Sequence, residues 1–340
     1  MTGKRKAIAV ALIGASILVG WSRTEDYRKL RARIHVVSTL ARIAPLKRCF
    51  TGWQRRLYTP TFVTKIDSLY FIVDCWHNRV LYSPAADAPI GSWRLLDGDL
   101  AGPHSIASDS ALYVVEDTGR HSLRVYIRSG GSFQLVQTIA NLGSRTHRVA
   151  YDPASSAFYA MSSNSQHITK LVRQSDRLRV AYRKHLPFLG NAYTRSFTIA
   201  DGFMSFVSGP KTITKVSYLD DSFRVLATYD VPHALESMND LYKKGEYYYL
   251  TATPMAIVRT KSLEDLARGN WQNIYGTLGL KGTPYYFSEF DGRIFLPQIE
   301  EYSGILTFVE HNGAIEDVRT LFDSGEPTLM DRVVYDSLPK

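Results

Sequence analysis

Short apolar runs, each closing on polar or small residues, recur along this chain at nearly even spacing: LYFIVD from Leu69, LYVVED from Leu112, FYAMSS from Phe158, FMSFVS from Phe203, YYYLTA from Tyr247 and RIFLPQ from Arg293. They are too short for helices and rich in aromatic and β-branched residues, so they predict strands. The clearest copy is GPHSIASDSALYVVEDTGRHSLRVYI, Gly102 to Ile127. There a short strand opens behind a Pro-flanked polar residue, small polar residues turn the chain, and LYVVED and LRVYI follow as two strands separated by a Gly-containing loop. Polar and apolar positions do not alternate within LYFIV, LYVV and YYYL, which is the pattern of strands buried on both faces.

Counting back from each run to the strand before it places Thr61, His104, His147, Arg195, Asn239 and Tyr285 in equivalent positions, at intervals of 43, 43, 48, 44 and 46 residues. A period in the forties built from short strands predicts a propeller, here all-β and six-bladed. Blades are expected over about 58–101, 102–145, 146–192, 193–234, 235–281 and 282–323, with a short helix at Leu263 to Arg268. DRVVYD, Asp331 to Asp336, echoes HRVAYD at His147 to Asp152 and reads as a strand that closes the ring, because closure removes open sheet edges.

The first 57 residues follow a different pattern. Lys4, Arg5 and Lys6 precede the uncharged stretch Ala7 to Ser22, so residues 1–22 read as a hydrophobic helix that is a signal anchor or a cleaved signal peptide. In residues 23–57, Tyr27, Leu30, Ile34, Val37 and Ala41 fall at helical spacing among Arg28, Lys29, Arg31 and Arg33, a basic amphipathic helix suited to anionic headgroups or to the propeller's rim. The expectation is a propeller (58–340) tethered to a membrane outside the cytoplasm, or secreted. Basic residues after the anchor oppose that orientation under the positive-inside rule.

Charge sharpens this division. Of the net +9, residues 1–57 carry 13 Lys or Arg against Glu25 and Asp26, which leaves residues 58–340 at −2 and without the excess that tracks phosphate backbones, so no nucleic-acid partner is expected. Two cysteines, Cys49 and Cys75, do not make a disulfide framework.

VDCWHNRVLYS, Val73 to Ser83, resembles the NHL repeat, in which an Asp ending one strand precedes Asn-Arg-Val opening the next; Glu116-Asp117 followed by Leu123-Arg124-Val125 repeats it loosely. Ser163, Ser208, Thr253 and Gln298 replace the Asp in the other blades. The resemblance implies a six-bladed NHL-like or strictosidine-synthase-like propeller. Asp74 and Asp117 themselves read as turn formers whose carboxylates accept backbone N–H bonds.

Inner strands line a propeller's channel, so Thr61, His104, His147, Arg195, Asn239 and Tyr285, with Asp240 beside Asn239, are the candidate ligand-binding residues at one mouth. His104 and His147 with Asn239 are candidate ligands of a divalent metal. That set is similar to those of the peptidyl-hydroxyglycine lyases and of the paraoxonase and gluconolactonase group, but the lyases use three channel histidines where two align here, and the lactonase group expects carboxylate and amide ligands. Two functions follow: a ligand-binding or protein-interaction scaffold, or a metal-dependent lyase or hydrolase. The sequence contains no H-E-x-x-H, G-x-S-x-G or C-x-x-C motif, and Ser208 to Thr212 lacks the first Gly of a phosphate loop. Glu300-Glu301 and Asp220-Asp221 read as solvated loop charges. A wet mouth contributes little core area, so replacing His104 and His147 together is expected to remove binding while leaving thermal stability nearly unchanged.

Overall fold

Six antiparallel meanders follow one another along the chain, each built from consecutive strands with the first at one edge and the last at the other. The computed structural model describes residues 55–208, 211–235, 237–253, 255–328 and 331. The expected anchor, nearly all of the basic segment, Cys49 and the expected closing strand beyond Asp331 lie outside the described residues.

The second strands are Leu69–Asp74, Leu112–Asp117, Ala157–Ser162, Phe203–Ser208, Tyr247–Ala252 and Arg293–Ile299. Five begin where the apolar runs begin, and the third begins one residue earlier. The first strands touch those of neighbouring blades, from Pro60–Ile66 in the first blade round to the sixth and back, so the ring is closed and the first strands are innermost. Outer strands such as Arg177–His185 are mostly exposed.

Six apolar clusters of the core lie one at each blade interface, and a seventh gathers Tyr285, Tyr286 and Ile299 against Phe62. Phe71, Val73, Tyr113 and Val115 join the first blade to the second, for example, and Val63, Ile72, Phe295 and Ile305 join the sixth to the first. This explains the missing alternation: Phe71 and Ile72, successive residues on opposite faces, are both fully buried because each face meets another blade. Asp201-Gly202 and Asp291-Gly292 join first to second strands with positive φ at both residues, as tight hairpins require. The short helix is Leu263–Ala267, and the Ser262 hydroxyl accepts from Asp265 N at 3.0 Å.

Asp74 and Asp117 accept backbone N–H bonds as expected, but from the chain sixteen residues earlier and not within a turn of their own. Asp74 Oδ1 accepts from Tyr58 N at 2.7 Å and Asp117 Oδ1 from Ala101 N at 2.6 Å, each pinning the chain as it enters its blade. Asp221 departs from the expectation of a solvated charge: it accepts from Lys170 Nζ and Tyr182 OH, both at 2.9 Å, and so ties the third blade to the fourth.

Among the described residues no strand is exchanged between the first and sixth blades. Side chains and backbone groups join them instead: Leu57 N donates to Ser324 Oγ at 2.9 Å, and Arg56 Nη2 to Glu326 O at 3.0 Å. Asp331 adds contacts to Arg56 Nη2 at 3.7 Å and His77 Nε2 at 3.5 Å. Burial raises the pKa of Asp331, but bonds from His77 and Thr328 outweigh it and hold the carboxyl at about 2. Its contribution is therefore complete above the ordinary value of 3.8 and is lost as pH falls toward 2. We predict that Asp331→Asn destabilises the protein by about 1–3 kcal/mol at pH 7. Chemical denaturation at pH 7 and at pH 2.5 checks this; an undiminished difference at the lower pH would exclude the clamp.

Candidate functional site

The six aligned openers gather at one mouth of the channel because the inner strands are irregular there. Pairing steps from Pro60 opposite Asp74 to Phe62 opposite Val73, passing over Thr61. The same slip passes over His147, Arg195 and Asn239 in the third, fourth and fifth blades. Each is the extra residue of a β-bulge, freed from the ladder so that its side chain is re-aimed. In the second blade Glu116 Oε1 accepts from His104 N and from Ser105 N, the latter at 2.8 Å, and takes the place of ladder bonds. The sixth blade's inner strand is interrupted at the same point, between Thr283–Pro284 and Ser288–Phe290, where Tyr285 sits.

The rings of His104 and His147 lie with centroids 3.8 Å apart and planes tilted by 30°. His104 Nδ1 lies 3.1 Å from Thr118 Oγ1 and its Nε2 3.7 Å from Cys75 Sγ, while His147 Nδ1 lies 2.8 Å from Tyr286 OH. Tyr286 OH in turn donates to Arg195 O at 3.0 Å. Arg195 Nη1 donates to Asn239 Oδ1, and Asn239 Nδ2 donates to Pro284 O at 2.8 Å. Tyr193 lies near both cations of the mouth, Arg195 at 5.6 Å and Arg145 at 5.9 Å from its ring centroid. Tyr285 lies 6.0 Å from His104 and 4.5 Å from Tyr286, ring to ring.

Two sequence candidates occupy structural positions. Thr61 is buried with its hydroxyl 3.4 Å from both Val73 O and Pro103 O. Asp240 is buried one residue below the mouth, where it accepts from Ser196 Oγ at 2.8 Å and Phe287 N at 3.0 Å and staples three blades together. The sequence reading passed over Arg145, Arg148, Tyr193 and Tyr286. Arg148 and Tyr286 directly follow aligned openers, and the bulges are what bring that second position toward the axis.

Burial lowers the pKa of both histidines well below the usual 6.5. Arg145 and Arg195 push in the same direction, and His104 adds to the effect on His147. Burial raises the pKa of the Tyr285 and Tyr286 hydroxyls. The mouth thus sets two guanidinium groups among neutral imidazoles, phenols and an amide. Neither guanidinium has a carboxylate within ion-pairing distance among the described residues; Glu300 is felt by Arg195 but accepts a hydrogen bond from Thr283 Oγ1 at 2.8 Å.

The expected metal set does not fit a divalent cation. His104 is engaged through both ring nitrogens by Thr118 and Cys75, His147 through Nδ1 by Tyr286, and Asn239 is held by Arg195 and Pro284. No group of three His, Cys, Asp or Glu able to hold a metal occurs among the described residues. The expectation of a thermally neutral double histidine variant also needs correction, because His104 is 8 % and His147 2 % exposed, so their removal opens a packed pair.

Fold and site together define a six-bladed β-propeller with a cationic, aromatic channel mouth. No family model and no curated protein matches the chain. Its fold is similar to that of a proposed 6-phosphogluconolactonase from Bacteroides fragilis, at 14% identity and a TM-score of 0.59 over 79% of this chain and 86% of that one. A proposed 6-phosphogluconolactonase from Bacteroides uniformis is similar at 13% identity and a TM-score of 0.58, over 79% and 87%. Hydrazine synthase from Kuenenia stuttgartiensis is similar at 14% identity and 0.52, over 74% and 77%. At these identities the likeness concerns the fold.

The electrostatics predict that His104 and His147 stay neutral as pH falls from 7.5 to 5.5. Below pH 6.5 an unfolded chain takes up protons that these folded imidazoles refuse, so each subtracts stability as the medium is acidified. Imidazole nitrogen shifts from NMR titration check this, and protonation of either ring near pH 6.5 would overturn it.

Proposed function

We propose that the propeller is a binding module for a small anionic ligand seated at the channel mouth over Arg195 and Arg145. The observation that carries this reading is the half-buried Arg195, whose only hydrogen-bonded side-chain partner among the described residues is the neutral Asn239. A partly desolvated cation without a counter-charge is costly, and a bound oxyanion relieves that cost through charge-assisted hydrogen bonds. Tyr193 and Tyr285 supply flat apolar area beside the charge, the usual composition of a small-molecule site. The metal-dependent lyase or hydrolase reading has no support from the donor geometry.

The module's placement outside the cytoplasm, held at a membrane by residues 1–22, belongs to the same proposal. Its support is the basic n-region and uncharged stretch of the sequence. Among the described residues no helix is long and apolar enough to cross a membrane.

Two experiments test these readings. At low ionic strength, acetate or inorganic phosphate is expected to raise the thermal midpoint of the full chain, with about 2.7 kcal/mol of added stability at one hundred times the dissociation constant. Arg195→Met is expected to weaken binding about tenfold or more, as the loss of one charge-assisted bond predicts. Failure of every anion tried to shift the wild-type midpoint would refute the anion site. For placement, a reporter fused after Lys340 is expected to be active outside the cytoplasm, and deletion of residues 1–22 is expected to release the protein from membranes. Reporter activity confined to the cytoplasm would reverse the orientation.

A further inference from the structure

Beneath the mouth the channel holds a cation with two guanidinium nitrogens that have no hydrogen-bond partner among the described residues. Arg148 follows His147 in the inner strand of the third blade, which faces the sixth across a ring of six. Its guanidinium reaches across the axis to lie 4.2 Å from the ring centroid of Tyr286 and 4.9 Å from that of Phe62. These two rings belong to the sixth and first blades and hold the group in place through their faces, a contact that consumes no N–H donor. Nε and Nη1 are buried without a hydrogen-bond partner among the described residues.

The nearby carboxylates do not relieve this. Asp240 and Glu116 both feel the charge of Arg148. The Asp240 oxygens are occupied by Ser196 and Phe287, and Glu116 Oε1 by two backbone N–H groups. Glu116 Oε2 is itself buried and unpartnered. Burial raises the pKa of Glu116 well above that of an ordinary carboxyl, even against the pull of its backbone bonds and of Arg148, which weakens it as a counter-ion. Buried donors of this kind are nearly always paired in native proteins, with protein, water or ligand.

We infer that Arg148 is a second anion-reading group, one residue past the opener position that Arg195 occupies and three past Arg145 along the chain, and that the ligand is a compact oxyanion with two negative charges, such as phosphate or a short dicarboxylate. This rests on the anion-binding reading above and names its ligand class. The two levels are adjacent along the inner strands, where one residue advances the backbone by about 3.3 Å, and such closeness favours a ligand whose two charges are near one another over a long diacid. Tyr286 links the two levels: its ring lies under Arg148, and its hydroxyl meets His147 and Arg195 O.

The test is calorimetric titration of the full chain with acetate, malonate, adipate and inorganic phosphate at matched ionic strength. Wild-type protein is expected to bind phosphate or malonate about tenfold or more tightly than acetate or adipate, the discrimination that one added charge-assisted contact provides. The phosphate and malonate arms separate the two sources of the dianion. Arg148→Met, which keeps an apolar stem over Tyr286, is expected to abolish the preference while acetate affinity changes less than about twofold, and Arg148→Lys, which keeps the charge without the planar fork, to retain part of it. A preference unchanged in Arg148→Met overturns the inference. If that variant does not fold, a full preference in Arg148→Lys, or wild-type protein that binds acetate as tightly as malonate and phosphate, overturns it instead. Wild-type protein that binds no anion at all refutes the anion site itself, a separate outcome.

Discussion

A four-stranded sheet whose middle strands are apolar on both faces cannot be satisfied by a single neighbour. Each such sheet here has a second face still to cover, and stacking continues until the last sheet meets the first. Closure is therefore a consequence of burial: the interface holding Val63, Ile72, Phe295 and Ile305 is the same kind of contact as the other five. With no strand exchanged among the described residues, the seam depends on that apolar contact and on polar ties such as Leu57 to Ser324. Asp74 serves the seam too, by pinning Tyr58 as the chain enters the first blade.

The same constraint creates the site. Radial packing brings six first strands to one axis, where their ends are too crowded to remain regular. Bulges release Thr61, His147, Arg195 and Asn239 from the ladders. A regular strand would keep those side chains in the blade interfaces, where an arginine would be intolerable. The bulge turns it toward the channel, where Asn239 and the tyrosines receive it. The mouth is consequently buried enough to lower the pKa of two histidines and still carries Arg195 and Arg145, which have no carboxylate partner among the described residues. This balance of charge and burial is what the proposed anion site rests on.

Much of this was legible in the chain. The apolar runs located the second strands to within a residue, because burial on both faces imposes a composition that no surface strand shares. The spacing of those runs identified the six openers. The sequence pattern marked Asp74 and Asp117 as acceptors of backbone N–H bonds, but their partners lie sixteen residues earlier, a distance that local turn chemistry does not reach. What it missed was Arg148 and Tyr286, next to identified residues yet assigned to no site, because the strand rule of alternating faces would send them away from the axis. It also proposed that His104 and His147 bind a metal, and could not foresee that Thr118, Cys75 and Tyr286 would engage their ring nitrogens.

The amino-acid sequence by itself determined the number of blades, the position of their strands and the identity of the residues at the mouth, since each follows from local composition repeated at a fixed period. Only the tertiary structure decided how those residues meet. Whether two imidazoles converge or are engaged by neighbouring side chains depends on bulges a few ångströms from them. Whether an arginine is paired depends on blades far apart in sequence: Arg148 lies over Tyr286, and Asn239 holds Arg195. Those contacts exist because the ring closes, and no single repeat contains the information that fixes them.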